Sequence, residues 1–315
     1  MVVLKDNKID FYSKTSLKSY NLNESMRYQL SMLDSLDVFT REHSENVANI
    51  TCRICEYLRL NKDFTVYCTM CAYLHDIGKL FIPTSILQKQ GSLTNEEYEI
   101  MKTHTTLGYN MCMDDPKLRP YANGPLYHHE SLNGTGYPKG LLKKEIPVEG
   151  QIIRVADEFD AIVSKRQYKS HIGITDTLKM LIEECIPIPK SVALKSMEEN
   201  TKLGKLNGRY VRALCKVVID DTEYEITCIL DYMKYLRTQI KRLEKIYSYF
   251  EKAEKSRFKW QKEKLHRSME VLFEGGETVG NFRYILEEYR SVLLKKKEIV
   301  ANLFLEVKNI KKLRV

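Results

Sequence analysis

Met70-Cys71-Ala72-Tyr73-Leu74-His75-Asp76-Ile77-Gly78-Lys79 joins an apolar run to an abrupt histidine-aspartate pair, then to a glycine and a lysine. The run continues the helical spacing of Val66, Met70, Tyr73 and Leu74, which predicts that His75 and Asp76 sit at the end of a buried helix. Adjacent helical side chains diverge by about 100°, so such a pair can flank two cations rather than chelate one. Gly78 predicts a tight exit, after which Lys79 returns to the same face. A lysine beside metal ligands is out of place in a purely structural site. It suits an anionic substrate, because an ammonium can hold a phosphate oxygen as a point charge.

Outward from that pair, the histidines are unevenly spread. Six of the seven fall between residues 43 and 171, and five of these join carboxylates in the series His43, His75-Asp76, His104, His128-His129, Asp157. Imidazole with carboxylate suits Fe, Mn, Zn or Ni, and not Ca or Mg, which take all-oxygen shells. The donors exceed what one ion can use, so a two-metal centre with Asp76 as the bridge is expected. Two ions roughly 3.5–4 Å apart generate a bridging hydroxide and stabilise the attacking and leaving oxygens of a phosphoester. No nucleophile elbow or Walker pattern competes, and the glycines within 274–280 lack a following Lys-Ser/Thr. His171 and His266 read as ordinary polar residues.

The chain of 315 residues is 43% hydrophobic and 29% charged, which permits a packed core and argues against disorder. No apolar run approaches the roughly 20 residues that cross a bilayer. The start, Met1-Val2-Val3-Leu4-Lys5-Asp6, lacks the apolar stretch of a secretory signal. A soluble, cytoplasmic protein is expected, with its eight cysteines reduced. Cys52, Cys55, Cys68 and Cys71 form two C-x-x-C pairs near zinc-ribbon spacing. Both pairs lie in helical periodicity without a glycine turn, so they are expected to pack as small hydrophobes. Residues 232–315 carry 21 Lys/Arg against 11 Glu, whereas residues 1–231 carry 29 against 31 Asp/Glu. That asymmetry predicts two functional units.

Residues 1–27 read as a polar lead-in, and helical spacing dominates 28–222, including Leu30, Leu33 and Leu36. One helix start is marked by Thr94 as N-cap and Glu97 at its third position. The Gly/Pro-rich stretch 133–150 is expected to be loop, 186–210 an irregular connection, and Val211 to Ile219 a short closing helix. Ile229, Met233, Leu236, Ile240, Leu243, Ile246, Phe250 and Ala253 then form a coiled-coil seam. Gly275-Gly276 and Gly280 break it, and Phe282, Ile285, Tyr289, Val292, Ile299, Leu303, Ile310 and Leu313 resume it around Lys296. Residues 223–315 are thus expected to form two long helices joined by a glycine turn, as a hairpin or dimer arm. Its basic charge, interleaved with glutamates, fits a solvated coiled coil better than an arm seeking nucleic acid or an acidic membrane.

His75-Asp76-Ile77-Gly78-Lys79 and His128-His129-Glu130-Ser131-Leu132-Asn133-Gly134-Thr135-Gly136-Tyr137-Pro138 resemble the two signatures of the HD-GYP family of phosphohydrolases. The resemblance runs over about 28–222 and includes Met101-Lys102-Thr103-His104 and Arg154-Val155-Ala156-Asp157. It implies an all-α fold, an HD-domain helical bundle, here followed by the C-terminal helical hairpin. It also implies a phosphodiesterase that opens cyclic di-GMP to the linear dinucleotide pGpG and on to GMP. His43, His75, Asp76 and Asp157 match the ligands of one metal, and Asp76, His104, His128 and His129 those of a second, with Fe or Mn favoured over Ni or Zn. Lys79 matches the phosphate-contacting lysine, and Gly136, Tyr137, Arg166 and Lys169 match substrate contacts. A diguanylate cyclase-domain partner at the Gly-Tyr-Pro loop is a further implication.

Three departures stand out. Phe39 holds the place where some members carry a glutamate that, with an aspartate matching Asp160, supports a third metal, so two metals are expected. Ser131 and Asn133 replace a common basic residue and a common aspartate, which bears on loop contacts more than on catalysis. Alternative readings are a phosphodiesterase for another cyclic dinucleotide such as 3',3'-cGAMP, or a receptor that binds without cleaving. The complete ligand set disfavours the receptor.

Overall fold

The computed structural model describes residues 38–164, 173–187 and 203–314. Residues 1–27, Leu30, Leu33, Leu36, Arg166, Lys169 and His171 lie outside the described residues. Among the described residues the chain is helical, with a single isolated bridge between Asn133 and Leu142. It divides into two compact units, Met1–Asp220 with Asn309–Val315, and Asp221–Lys308.

The first unit begins with α1 (Val38–Tyr57) and α2 (Lys62–Leu74), followed by a 3₁₀ turn (Ile77–Phe81) and the short α3 (Thr84–Leu87). Next come α4 (Asn95–Lys102), α5 (His104–Asp114), α6 (Asn123–Tyr127), α7 (Val148–Ser164) and α8 (Ile174–Glu183). α1 packs on α2 and α7, and α6 packs on α2, α5 and α7. α2 is the central helix: Asn61 caps its start by accepting from the Asp63 amide, and every residue from Cys68 to Leu74 is buried. The four C-x-x-C cysteines have no exposed surface and pack as core hydrophobes. Ile54, Leu74, Ile77, Ile152 and Ile153 fill the same core, each contributing about 1.5–3 kcal/mol by burial. The expected start of α4 is observed: the Glu97 amide donates to Thr94 Oγ1 at 3.2 Å and the Thr94 amide to Glu97 Oε2 at 2.7 Å.

Four expectations need correction. The loop predicted for 133–150 ends at Pro147, because α7 already includes Val148, Glu149 and Gly150. Gly150 sits in that first turn because a Cβ there would lie 2.8 Å from Cβ of Tyr127. The short closing helix Val211 to Ile219 is the beginning of one 48-residue helix, α9 (Gly208–Lys255), which carries the predicted seam without a break. No glycine or proline interrupts residues 209–255, so nothing ends the first stretch before the second begins.

The predicted pair of long helices is also a set of three. α10 (Lys259–Glu270) intervenes before α11 (Phe282–Ile310), and the glycine turn joins α10 to α11, with Gly275 at φ +58° and Gly276 at +86°. The break at 256–258 contains neither glycine nor proline; there the Phe258 amide donates to Ser256 Oγ at 3.3 Å. Within this second unit Ile240, Leu243 and Ile246 of α9 form a core with Met269, Phe282 and Leu286, so that part of the seam is buried inside one chain. On α11 the buried face takes Val300 and leaves Ile299 39% exposed, one position away from the predicted register. Arg242 clamps the unit by donating to both Glu277 carboxylate oxygens at 2.5 Å and to the Leu272 carbonyl at 2.6 Å. No described helix is long and apolar enough to cross a membrane.

Candidate metal centre

Five elements converge on one buried cluster. His43 comes from α1, His75 and Asp76 from the turn leaving α2, His104 from the first position of α5, His128 and His129 from the end of α6, and Asp157 from α7. His75 and Asp76 lie just beyond the helix, not within it. His75 keeps helical angles as the C-cap, and Asp76 turns to φ −99°, ψ 5°, which is what spreads the pair. Gly78 does more than allow a tight exit: a Cβ there would lie 1.9 Å from the His104 carbonyl. Only glycine lets the start of α5 approach the turn closely enough to bring His104 beside Asp76.

Asp76 is the centre of the arrangement. Its Oδ2 faces His75 Nε2 at 3.3 Å and His43 Nε2 at 3.7 Å, while its Oδ1 faces His104 Nε2 at 3.4 Å and His128 Nε2 at 3.9 Å. Asp157 closes the first side, with Oδ1 at 3.0 Å from His43 Nε2, and reaches the second with Oδ2 at 4.0 Å from His129 Nδ1. Three groups have donor atoms mutually within 4.8 Å: His43, His75 and Asp157; His75, Asp76 and His128; and His104, His128 and His129.

The backbone aims the rings. Nδ1 of His75 donates to the Ala72 carbonyl at 2.7 Å, that of His104 to Met101 at 2.7 Å, and that of His128 to Pro125 at 2.9 Å. Each such bond fixes a tautomer whose bare Nε2 points inward, the arrangement expected of metal-ligating histidines. His75 Nε2 and Asp76 Oδ1 are buried without a hydrogen-bond partner. An unmatched buried polar atom costs about 1–3 kcal/mol, and a bound cation would recover it. Burial pulls His104, His128 and His129 below the ordinary imidazole range, which keeps their lone pairs free. Burial works against the charges on Asp76 and Asp157, yet the Lys79 ammonium and the facing His75 ring hold Asp76, and a hydrogen bond from His43 holds Asp157, well below the carboxylate range. Burial likewise opposes a proton on His43, but the hydrogen bonds it donates to Asp157 and Asp160 push its pKa up to about 10. A borderline divalent transition-metal cation fits this imidazole and carboxylate donor set.

The rim carries Lys79, Gly136 and Tyr137, the predicted substrate contacts that lie within the described residues. Lys79 Nζ lies 2.5 Å from Asp76 Oδ2 and keeps 23% of its side chain exposed. Tyr137 stacks on His129 with ring centroids 4.6 Å apart. Gly136 is required because a Cβ there would lie 2.3 Å from the Ser131 amide nitrogen. Ser131 and Asn133, the departures noted above, are both buried, and Asn133 Oδ1 accepts from the Thr135 amide and hydroxyl. They shape the loop from within.

Residues beyond the predicted set also serve the site. Asp160 accepts from His43 Nδ1 at 2.7 Å, Arg154 donates to the His129 carbonyl at 3.0 Å and pairs with Glu158, and buried Glu130 accepts from the Lys139 and Leu141 amides. Tyr98 and Lys102 of α4 extend the rim, with Lys102 Nζ 4.8 Å from the Tyr98 ring centre and 5.7 Å from that of Tyr137. The steps of three from Arg154 to Asp157 to Asp160 place them on one helical face, a signal present in the sequence.

Residues 27–185, about half of the chain, match the family described as HD domain, and the chain belongs to that family. It is similar to a cyclic di-GMP phosphodiesterase of Thermotoga maritima, 41% identical over 170 residues, which are 52% of this chain and 46% of that protein. It is 39% identical over 127 residues to the cyclic di-GMP phosphodiesterase response regulator RpfG of Xanthomonas campestris pv. campestris, covering 40% of this chain and 34% of that one. The 3'3'-cGAMP-specific phosphodiesterase 3 of Vibrio cholerae is 33% identical over 152 residues, 48% of this chain and 33% of its own. The chain therefore spans less than half the length of these relatives. Their names agree with the HD-GYP resemblance read from the motifs.

Proposed function

We propose that the chain is a metal-dependent phosphodiesterase that hydrolyses cyclic di-GMP to pGpG, GMP or both. One observation carries the reading: the two oxygens of Asp76 face two different histidine groups. In this reading His43, His75, Asp76 and Asp157 hold one divalent ion, and Asp76, His104, His128 and His129 hold another, Fe or Mn ahead of Ni or Zn. A bound pair of such ions supplies activated water and charge stabilisation for in-line displacement at a phosphodiester. The protein does the rest. Backbone carbonyls hold the imidazole tautomers, and Asp160 keeps His43 aimed inward. Lys79, partly exposed, meets a substrate phosphate, and Tyr137 offers its outer face to a purine while Gly136 lets the loop pass close to His129. Arg166 and Lys169 enter on the resemblance alone.

Cleavage of 3',3'-cGAMP is the second reading, favoured by the Vibrio cholerae relative. Two interaction proposals accompany the first. A homodimer through the C-terminal helices is supported by Leu294, Phe304 and Leu305, all more than half exposed on α11. A diguanylate cyclase-domain partner at the Gly-Tyr-Pro loop is supported by the exposed Pro138 and Lys139.

The test is anaerobic reconstitution with Fe(II) or Mn(II), followed by chromatography of products from both cyclic dinucleotides and by metal analysis. Asp76→Ala should lose bound metal and at least roughly a thousandfold in turnover. Unchanged metal content and turnover in that variant would remove the reading.

A further inference from the structure

The second unit has an uncovered end. α9 stops at Lys255 and α10 starts at Lys259, while Met269 and Leu272 pack back onto the core of Ile240, Leu243 and Ile246. Residues 256–258 are therefore the turn of a helical hairpin, a convex end. Two large aromatic side chains project there, Phe258 at 63% and Trp260 at 65% exposure. Around them, residues 252–267 carry seven Lys/Arg against two Glu. Lys252, Lys255, Arg257, Lys259, Lys262 and Lys264 are all exposed, and none joins an ion pair among the described residues. Elsewhere in the unit, Arg242 and Arg290 are both paired with glutamates.

We propose that this hairpin end is a docking surface for anionic lipid bilayers. Phe258 and Trp260 enter the headgroup boundary, and the surrounding lysines and Arg257 hold lipid phosphates. Charge complementarity and aromatic placement carry the argument. Aromatic rings with a polar or wet edge settle at the membrane-water interface, and a basic surround draws them to an acidic leaflet. Each Lys or Arg near such a surface is worth roughly a fivefold gain in binding. Single-stranded nucleic acid also uses aromatic and basic residues, but in grooves that track the strand and stack successive bases. A convex turn with two neighbouring rings offers no groove. This surface is independent of the metal centre and of the activity proposed for it.

Trp260 is the only tryptophan in the chain, so its fluorescence reports on this end alone. The full chain is titrated with vesicles of phosphatidylcholine, and with vesicles containing about one-third phosphatidylglycerol. The expected result is co-sedimentation with the anionic vesicles only, with a blue-shifted tryptophan emission that high salt reverses. Changing Lys259→Gln, Lys262→Gln and Lys264→Gln together should weaken binding on the order of a hundredfold. Phe258→Ser should weaken it roughly tenfold. Far-UV circular dichroism verifies that these surface changes leave the helices intact. Equal binding to neutral vesicles, or no emission shift with anionic ones, would overturn the proposal. So would a single-stranded RNA oligonucleotide that quenches Trp260 and strips the chain from anionic vesicles, which would assign the surface to nucleic acid.

Discussion

Around Asp76 the first unit buries His75, His104, His128, Asp76, Asp157 and Asp160 to below a tenth of their surface, and leaves His75 Nε2 and Asp76 Oδ1 without hydrogen-bond partners. The second unit treats its most enclosed ion pair in the opposite way. Arg242 and Glu277 meet fork to fork, and a third bond ties the arginine to the Leu272 carbonyl. A polar group fully matched within the fold has nothing left for a ligand. A polar group that the fold buries, aims and leaves unmatched is held there against its own desolvation cost, and that cost is the physical mark of a site. The contrast separates polar residues that serve stability from those that serve chemistry.

The largest break in that contrast is expected from Gly78→Ala. The added methyl would meet backbone, the His104 carbonyl, and neither the turn nor α5 has a flexible side chain to move aside. A cost of roughly 3 kcal/mol or more is expected, together with loss of metal from the His104 side of the cluster. Calorimetry with metal analysis would show both. A variant that keeps normal stability and metal content would mean that α5 is free to shift. Phe282→Ala is the counterpart in the second unit, where the ring is fully buried among Ile240, Leu243, Ile246, Met269 and Leu286. About 3–5 kcal/mol of stability should disappear there while metal per chain stays the same. Loss of metal in this variant would show that the arm and the centre are coupled.

These two substitutions also show what could be read in advance. The candidate ligands are legible because His-Asp and His-His pairs at helix-length intervals have no common structural role, and the structure brings their donor atoms close together. The reason for Gly78 was not legible, since the approach of α5 is a tertiary fact and sequence spacing predicts only a tight exit. Asp160 and Arg154 were visible as one face with Asp157, yet nothing local says that His43 needs a second acceptor. In the arm, heptad spacing found Ile240, Leu243 and Ile246, but the turn at 256–258 has no breaker residue to announce it. Lys296 interrupts the α11 register, and beyond it the buried position is Val300 where the spacing predicts Ile299.

A smaller, pH-dependent effect distinguishes the matched pair from the unmatched centre. Burial raises the Glu277 carboxyl, but the Arg242 hydrogen bonds outweigh it and hold the group below its ordinary value of 4.5. A lowered folded-state value means that the pair's stabilisation is complete above pH 4.5. It is lost as the pH falls through the lower folded value. Glu277→Gln should therefore cost about 1–3 kcal/mol at neutral pH and flatten the acid limb of the unfolding curve for this unit. Denaturant melts of both proteins, on either side of that window, would test it. Parallel acid limbs would show that Glu277 is not the group responsible.

The smallest effect is expected at Thr94, whose hydroxyl accepts from the Glu97 amide while Glu97 reaches back to the Thr94 amide. Thr94→Ala removes half of this reciprocal cap and should cost about 1 kcal/mol. α4 is an eight-residue helix with no buried residue, so packing does little to hold it and the cap carries an unusual share of its order. Yet α4 ends two residues before His104, and it presents Tyr98 and Lys102 beside Tyr137. If the rim contributes to substrate binding, the frayed helix should raise KM severalfold while kcat and metal content hold, because the close approach at Gly78 fixes His104 from outside α4. A fall in kcat with KM unchanged would place the influence of α4 on His104 and the metals instead of on the aromatic rim.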